Sequence, residues 1–437
     1  MAAVSVHNPR DPVALPTSGD VTPRVRSSVV RPARAVLGQP DYALVLAIAG
    51  LLAFGLIMVY SSSVVTAYTA YQNQFHFLFK QVLSAGIGLV AMMVLTRVDY
   101  HALRALSVPG LVGAVVLLAA VLIPGIGSEV YGAQRWITLG GFQLQPSELA
   151  KLALVVYIAH WLTAKREQVS DFANGLLPFG VLMSVVVALL MKQPDMGTTI
   201  VVVITAVAIF FAAGASLSHL ALLSGVGAFA GVLMIRVAPY RIERFLAFMD
   251  PWARPQAASY HVVQSLMAFG AGGITGVGLG VGRQKFFHLP FPHTDSIFAV
   301  VGEELGLIGT VPVVLAFLFF AYRGLRIAWY APDQFGRLLA VGVTGGIAFQ
   351  AMLNMAVLTS SVPFTGITLP FISYGGSSLI STLAACGVLL NVSRQTVSSI
   401  ARSAERGPSA AESRHLGRWY RRAHLPRARG RARASGV

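Results

Sequence analysis

Long apolar stretches are the feature that most constrains this chain. About 20 consecutive apolar residues are enough to cross the hydrocarbon core of a bilayer. Only 11% of the residues are charged, whereas soluble domains carry about 25%. The sequence therefore predicts an all-α polytopic membrane protein with ten transmembrane helices and excludes an ordinary soluble enzyme. The predicted spans are 42–63, 76–95, 106–124, 147–164, 176–191, 198–214, 217–237, 297–322, 337–358 and 376–393.

Two polar tails flank the apolar region. Residues 1–40 are rich in Pro, Ser and Arg, and residues 396–437 are rich in Arg. Segments of this composition bury too little apolar surface to fold alone. We predict a disordered basic tail at 1–40, a membrane domain at 41–395 and a disordered Arg-rich tail at 396–437. The positive charge of the tail 396–437 favours attraction to anionic lipid head groups, and a binding site for a specific partner is the alternative.

The placement of Lys and Arg predicts the orientation. Basic residues accumulate in the cytoplasmic segments of membrane proteins. With the N-terminus inside, 23 of the 33 basic residues fall on the cytoplasmic side. Both termini are then cytoplasmic, and the nearly sixty residues of 238–296 form an outer loop between the seventh and eighth spans. Long ordered loops on such a scaffold often carry function.

The outer loop is basic, against the general trend. A basic outer surface favours an anionic ligand such as a lipid-linked pyrophosphate, because guanidinium groups match phosphate oxygens. Attachment to lipid head groups is the alternative. The basic residues are Arg241, Arg244, Arg254, Arg283 and Lys285.

Charged residues inside predicted spans need a partner or a task, since each costs about 2.5–3.5 kcal/mol at the membrane centre. Glu148 and Lys151 are three residues apart, so they share a helix face and either form a structural ion pair or line an anion-receptive cavity. Glu303 and Glu304 either pair with Lys151 or Arg135 or take part in a reaction.

Asp295 is the strongest candidate for chemistry. It lies just before an apolar span, where it can cap the helix. A carboxylate at the outer face, beside a basic loop, can also act as a general base that activates a sugar hydroxyl. The glycine-rich stretch 270–282 lacks the third glycine of a dinucleotide fingerprint. The single cysteine excludes a disulfide framework and a multi-thiolate metal site.

Several motifs in these regions resemble one family. The chain is similar to the SEDS family of shape, elongation, division and sporulation proteins (FtsW, RodA and SpoVE), most of all to its division members, over about residues 40–395. The motifs are Gly132-Ala-Gln-Arg-Trp-Ile137, Gln145-Pro-Ser-Glu-Leu-Ala-Lys151, Gln193-Pro-Asp-Met-Gly-Thr198, Pro239-Tyr-Arg241, Pro251-Trp252, Gln264-Ser-Leu-Met-Ala-Phe-Gly270, His293-Thr-Asp295, Gly302-Glu-Glu-Leu-Gly306 and Leu369-Pro-Phe-Ile-Ser-Tyr-Gly-Gly-Ser-Ser378.

The resemblance implies a peptidoglycan glycosyltransferase that polymerises lipid II into β-1,4 glycan. The family's essential acidic residue falls on Asp295. The residues expected at the substrate are Arg135, Trp136, Lys151, Arg241, Arg244, Gln264, Lys285, His293, Thr294, Glu303, Glu304 and Ser377. Two departures from the family pattern alter the surroundings of Asp295. Phe291 stands where the family usually has Glu or a similar residue, and Ser296 stands where it usually has Phe.

The resemblance also implies location and partners. We expect a bacterial cytoplasmic membrane protein at the division septum, with its active site on the outer face. Its partners are lipid II, the growing glycan on undecaprenyl pyrophosphate, an FtsI-like class B penicillin-binding protein and other division proteins. No nucleic acid is expected. The resemblance implies no definite cofactor, and a divalent cation (Mg²⁺ or Mn²⁺) is the candidate. A lipid II flippase and a scaffold for the penicillin-binding protein are the alternatives.

Overall fold

A computed structural model describes residues 38–405 except 131, 132, 141, 238, 254–258 and 287. Most of both predicted tails therefore lies outside the described residues, and the predicted disorder stays a prediction. Within the described part the chain is mostly helical. The helices are α1 (Tyr42–Tyr71), α2 (His76–Arg97), α3 (Leu103–Ala120), α4 (Pro146–Lys165), α5 (Leu177–Lys192), α6 (Met196–Ala212), α7 (Leu217–Val237), α8 (Pro239–Met249), α9 (Tyr260–Gly272), α10 (Ile297–Trp329), α11 (Gln334–Leu358) and α12 (Gly376–Glu405).

Seven described helical segments are long and apolar enough to span a membrane, which confirms a polytopic α-helical membrane protein. Two apolar helices are shorter, namely Met196–Ala212 and Leu217–Leu233. α4 has 20 residues but carries Glu148 and Lys151 near its start. Every predicted span coincides with one of these helices, and the total of ten crossings stays a prediction.

A small β-sheet interrupts the helical pattern between α3 and α4. Strands β1 (Gly127–Val130), β2 (Ala133–Leu139) and β3 (Phe142–Leu144) pair antiparallel in that order. Aromatic and β-branched residues in β2 favour an extended backbone, and β1 and β2 pair so that Ser128 faces Trp136. The all-α expectation is therefore wrong for this segment.

The predicted outer loop 238–296 contains two helices, α8 and α9, and the glycine-rich stretch 270–282. α9 packs against α10, so the segment is attached to the helical bundle. Farther in, α12 packs against α2, and α11 packs against both α6 and α10. These contacts bring the ends of helices that are distant in sequence to one face of the bundle.

The glycine-rich stretch fills a break in α10 at Gly306, which has a φ of 61° and a ψ of −153°. The N–H groups of Val277 and Gly278 donate to the carbonyl oxygens of Glu303 and Glu304, each at 3.0 Å. Such pairing satisfies backbone groups that a membrane leaves without water. The glycines thus serve close backbone packing, as the failed nucleotide fingerprint indicated.

Candidate active site

A cavity of about 760 Å³ opens at this face of the bundle. It lies between the end of α1, the start of α2, strand β2 and the first turns of α4 and α6. Two loops complete it, the turn before α10 and the segment that connects α11 to α12. The polar side chains among its lining residues include Lys80, Arg135, Gln145, Glu148, Lys151, Asp195, Thr294, Asp295, Gln350 and Thr368.

Asp295 lines this cavity and is half-buried. The hydroxyl of Thr294 donates to its Oδ1 at 3.2 Å, and Asn354 donates to its backbone carbonyl at 2.8 Å. Burial raises the pKa of Asp295 to about 7, against the opposing effects of the Thr294 hydrogen bond, of backbone N–H groups and of the positive charge of Arg244. The carboxylate can therefore exchange a proton near neutral pH.

The predicted helix cap is displaced by one residue. α10 begins at Ile297, and its N-cap is Ser296, whose side chain makes no capping bond. Asp295 therefore lies in the turn before the helix. Its position leaves the carboxylate at the cavity, because the backbone on either side is held by neighbouring segments.

Glu148 and Lys151 form the ion pair that their spacing predicts, with 2.9 Å between Nζ and Oε2. Lys151 also donates to Oε1 of Gln350 on α11 at 2.6 Å. Both members of the pair line the cavity. The structural ion pair is therefore present, and the binding of an anion at Lys151 stays a prediction.

Arg135 and Trp136 extend from β2 into the cavity. The guanidinium of Arg135 donates through Nε to the carbonyl oxygen of Gln193 at 3.0 Å and through Nη2 to that of Pro194. These bonds connect the sheet to the start of α6. They also occupy guanidinium N–H donors that would otherwise be available to bind an anion.

Lys285, Glu303 and Glu304 lie away from the cavity. The ammonium group of Lys285 pairs with Glu304 at 2.7 Å. Glu303 accepts the N–H groups of Arg283 at 2.6 Å and Gln284 at 3.1 Å. The expected pairing of the glutamates with Lys151 or Arg135 is therefore wrong, and these groups instead attach the glycine-rich stretch to α10.

Thr294 lines the cavity, whereas His293, Gln264 and Ser377 do not. His293 is buried behind it, with its ring centroid 4.5 Å from that of Phe77. Burial lowers the pKa of His293 to about 4, so its ring is neutral at physiological pH. Gln264 is half-buried on α9, and the buried hydroxyl of Ser377 accepts the Gln145 N–H at 3.3 Å.

The basic side chains of α8 are the least central of the predicted site residues. Arg244 is exposed, and its guanidinium carbon lies 5.4 Å from the ring centroid of Phe364. Its charge nevertheless reaches Asp295. The side chain of Arg241 and all of Arg254 lie outside the described residues. Of the two departures near Asp295, Phe291 lines the cavity and Ser296 is buried behind it.

The polar cavity residues that were not among the predicted site residues include Lys80, Asp195 and Gln350. Lys80 is exposed to the cavity, and no carboxylate lies within ion-pair distance of it in the described part of the chain. Asp195 is 3% exposed, caps α6 by accepting the Thr198 N–H, and accepts from Gln145 at 3.3 Å. The sequence signal that could have identified Asp195 is its position as an acidic residue just before a predicted apolar span.

No group of three or more His, Cys, Asp or Glu side chains suited to hold a metal ion occurs in the described ranges. Asp195 and Asp295 nevertheless share the cavity wall, so carboxylate oxygens are present. Such oxygens are the ligands that Mg²⁺ and Mn²⁺ prefer.

Sequence comparisons place this architecture among known proteins. The profile of a family described as cell cycle protein, covering FtsW, RodA and SpoVE, matches residues 42–398. Stage V sporulation protein E of Bacillus subtilis is 46% identical over 357 residues, 82% of this chain and 97% of the relative. A probable peptidoglycan glycosyltransferase FtsW of Geobacter metallireducens is 46% identical over 354 residues, covering 81% and 94% of the two chains.

Solved structures give the same picture. A structure described as a peptidoglycan synthase complex that coordinates polymerization and crosslinking matches with a TM-score of 0.68 and 31% identity, covering 82% of this chain and 98% of the other. The rod shape determining protein RodA of Thermus thermophilus matches with a TM-score of 0.61 and 30% identity, covering 82% and 97%.

Proposed function

Since this chain belongs to the FtsW, RodA and SpoVE family of cell-cycle proteins, we propose that its cavity is where lipid II is polymerised. The protein is a peptidoglycan glycosyltransferase of cell division and a multi-pass protein of the bacterial membrane. The observation that carries the proposed site is Asp295, a half-buried carboxylate with a pKa of about 7 that faces a cavity of about 760 Å³.

The proposed reaction is a direct displacement with inversion. The 4-hydroxyl of GlcNAc on one lipid II attacks C1 of MurNAc on the growing glycan. As the new C–O bond forms, Asp295 accepts the hydroxyl proton, and the bond from C1 to the lipid pyrophosphate breaks. A general base typically contributes about 10²- to 10⁴-fold to the rate. Because an α-linked donor gives a β-linked product, one base suffices and no covalent enzyme intermediate forms.

The departing pyrophosphate needs positive charge. Lys80 is the best placed for this role, since Lys151 is paired with Glu148 and Arg135 donates to two backbone carbonyls. Cations fixed in a partly dehydrated site stabilise charge that develops in the transition state. We assign the pyrophosphate to the Lys80 side of the cavity and the attacking sugar to the Asp295 side.

A divalent cation stays part of the proposal as an alternative means of neutralising the pyrophosphate. Asp195 and Asp295 are the cavity carboxylates free of a lysine or arginine ion pair in the described residues, so they are the groups that would hold it. When bound, the cation would supply further charge neutralisation. No step of the proposed reaction depends on it.

The cellular setting follows from the family. We propose that the cavity opens on the outer face of the cytoplasmic membrane, with both termini in the cytoplasm and the protein at the division septum. The positive-inside distribution of basic residues supports this orientation. We further propose that a class B penicillin-binding protein crosslinks the product, by analogy with the related peptidoglycan synthase complex.

The test is lipid II polymerisation by the purified full chain with its penicillin-binding partner, comparing wild type with Asp295→Asn. Polymer from wild type and none from the variant is expected. Asp250→Asn is the matched control, since this exposed aspartate lies in the same outer segment but not at the cavity. If Asp295→Asn polymerises normally, the base lies elsewhere. If wild type makes no polymer but moves lipid II across vesicles, the flippase alternative replaces the enzyme.

A further inference from the structure

His261 and Ser296 form a buried polar contact directly behind Asp295. Nε2 of His261 lies 2.6 Å from Oγ of Ser296, and this hydroxyl donates to the carbonyl oxygen of Pro290 at 2.6 Å. Ser296 is fully buried, and His261 is 9% exposed. Neither residue lines the cavity, so neither is placed to contact the substrate there.

The direction of these bonds follows from the single proton of the hydroxyl. Because Ser296 gives its proton to Pro290, His261 donates its Nε2–H to Ser296. The other ring nitrogen, Nδ1, then carries no proton and has no hydrogen-bond partner in the described part of the chain. Burial and the positive charge of Arg244 lower the pKa of His261 to about 4 against the opposing effect of the nearby Pro290 backbone, so the ring is neutral at physiological pH.

The same imidazole also contacts the opposite wall of the site. Its ring centroid lies 4.1 Å from that of Phe364, in the segment between α11 and α12. Two residues later, Gly366 has a φ of 68° and lies so close to Asp295 that a Cβ on it would be 3.7 Å from Oδ2. His261 therefore touches both segments that flank the Asp295 carboxylate.

We propose that the His261–Ser296 pair is the positioning element of the active site, which fixes the turn 290–296 against the Phe364–Gly366 wall so that Asp295 faces the cavity. This inference rests on the proposed role of Asp295 as general base. It also gives Ser296, a departure from the family pattern, a physical role. A buried hydroxyl at this position needs a partner, and His261 supplies it.

Loss of the pair has a specific electrostatic consequence. Burial raises the pKa of Asp295, while the Thr294 hydrogen bond, backbone N–H groups and the positive charge of Arg244 on α8 lower it. Ser296→Ala leaves the His261 N–H and the Pro290 carbonyl without partners and loosens this turn. The pKa of Asp295 then shifts, because both its burial and the hydrogen bonds to its ionised form depend on the position of this turn.

The experiment is lipid II polymerisation by the full chain with its penicillin-binding partner, measured over pH. We expect Ser296→Ala and His261→Leu to lower kcat by on the order of 10- to 100-fold, the effect of a small misplacement of a catalytic group. KM should stay unchanged, and the acidic limb of the pH–rate profile should move with the pKa of Asp295. His261→Gln keeps an N–H donor and should restore most of the rate.

Ser265→Ala is the matched control, since this buried serine on α9 donates only to the His261 carbonyl oxygen at 2.8 Å. It should leave rate and profile unchanged, and the double variant His261→Leu/Ser296→Ala should be no worse than either single one. An unmoved acidic limb, additive losses or an equal loss in Ser265→Ala would overturn the inference.

Asp295→Asn is assayed in parallel. If it remains active, the general-base role itself fails, whereas an inactive Asp295→Asn beside normal Ser296→Ala and His261→Leu rejects only the positioning role.

Discussion

The ammonium group of Lys285 lies 2.7 Å from the carboxylate of Glu304, and the two side chains are 1% and 0% exposed. Glu304 also accepts from Ser61 on α1 at 2.6 Å, and Lys285 donates to the carbonyl oxygen of Gly280 at 2.8 Å. The pair therefore connects α1, α10 and the glycine-rich stretch. This arrangement fixes the glycine-rich stretch to the helices and leaves the Lys285 side chain almost no exposed surface.

We predict that Lys285→Met destabilises the protein by about 3–5 kcal/mol, because it leaves the Glu304 carboxylate buried without its partner. Lys285→Met/Glu304→Gln should recover most of the loss, since it removes both charges together. Thermal unfolding in detergent measures the difference. A double variant no more stable than Lys285→Met would show that the charge itself is not the cause.

The pKa of Asp295 predicts the pH dependence of polymerisation. A general base works only when ionised, and burial raises the pKa of this carboxyl to about 7. The rate should therefore rise with pH through about 7 and level off above it. The residual activity of Asp295→Asn should lack this acidic limb and be lower by about 10²- to 10⁴-fold at pH 8. An acidic limb that persists in Asp295→Asn would assign it to another group.

The raised pKa of Asp295 also predicts that the substitution Asp295→Asn increases the stability of the folded protein. A carboxyl whose folded-state pKa lies above its unfolded value of about 3.9 favours folding most when it is protonated. That contribution is complete below pH 4 and is lost as the pH rises towards 7. Asp295→Asn should therefore raise the melting temperature above pH 7, with a gain that shrinks as the pH falls through this range. Melting curves from pH 4.5 to 8 measure it, and a gain independent of pH would contradict the shift.

We predict that Lys80 binds the departing pyrophosphate and stabilises its charge. Lys80→Ala should lower kcat/KM for lipid II by about 10- to 100-fold, the worth of a hydrogen bond to a charged group. Lys80→Arg should retain part of the activity because it keeps the charge. Lys192→Ala is the control, since this exposed lysine at the end of α5 does not line the cavity. Equal kinetics in Lys80→Ala and wild type would remove the lysine from the reaction.

The helices were largely predictable from sequence, because a bilayer demands long apolar segments whatever their neighbours. Every predicted span coincides with a helix. The sheet 127–144 was not predicted, since its strands are short and lack a long alternating pattern. The break in α10 was hidden as well, because it depends on a glycine-rich stretch that approaches from the preceding loop.

The sequence by itself determined a multi-helix membrane protein, its family motifs and Asp295 as the leading candidate for chemistry. Only the tertiary structure decided which charged side chains lie close to one another. Lys285 and Glu304 pair in the interior, Lys151 finds Gln350 on another helix, and Lys80 enters the cavity. The physical reason is that apolar length acts locally along one segment. A charge takes its role from whichever partners packing brings within a few ångströms, and those partners come from distant parts of the chain.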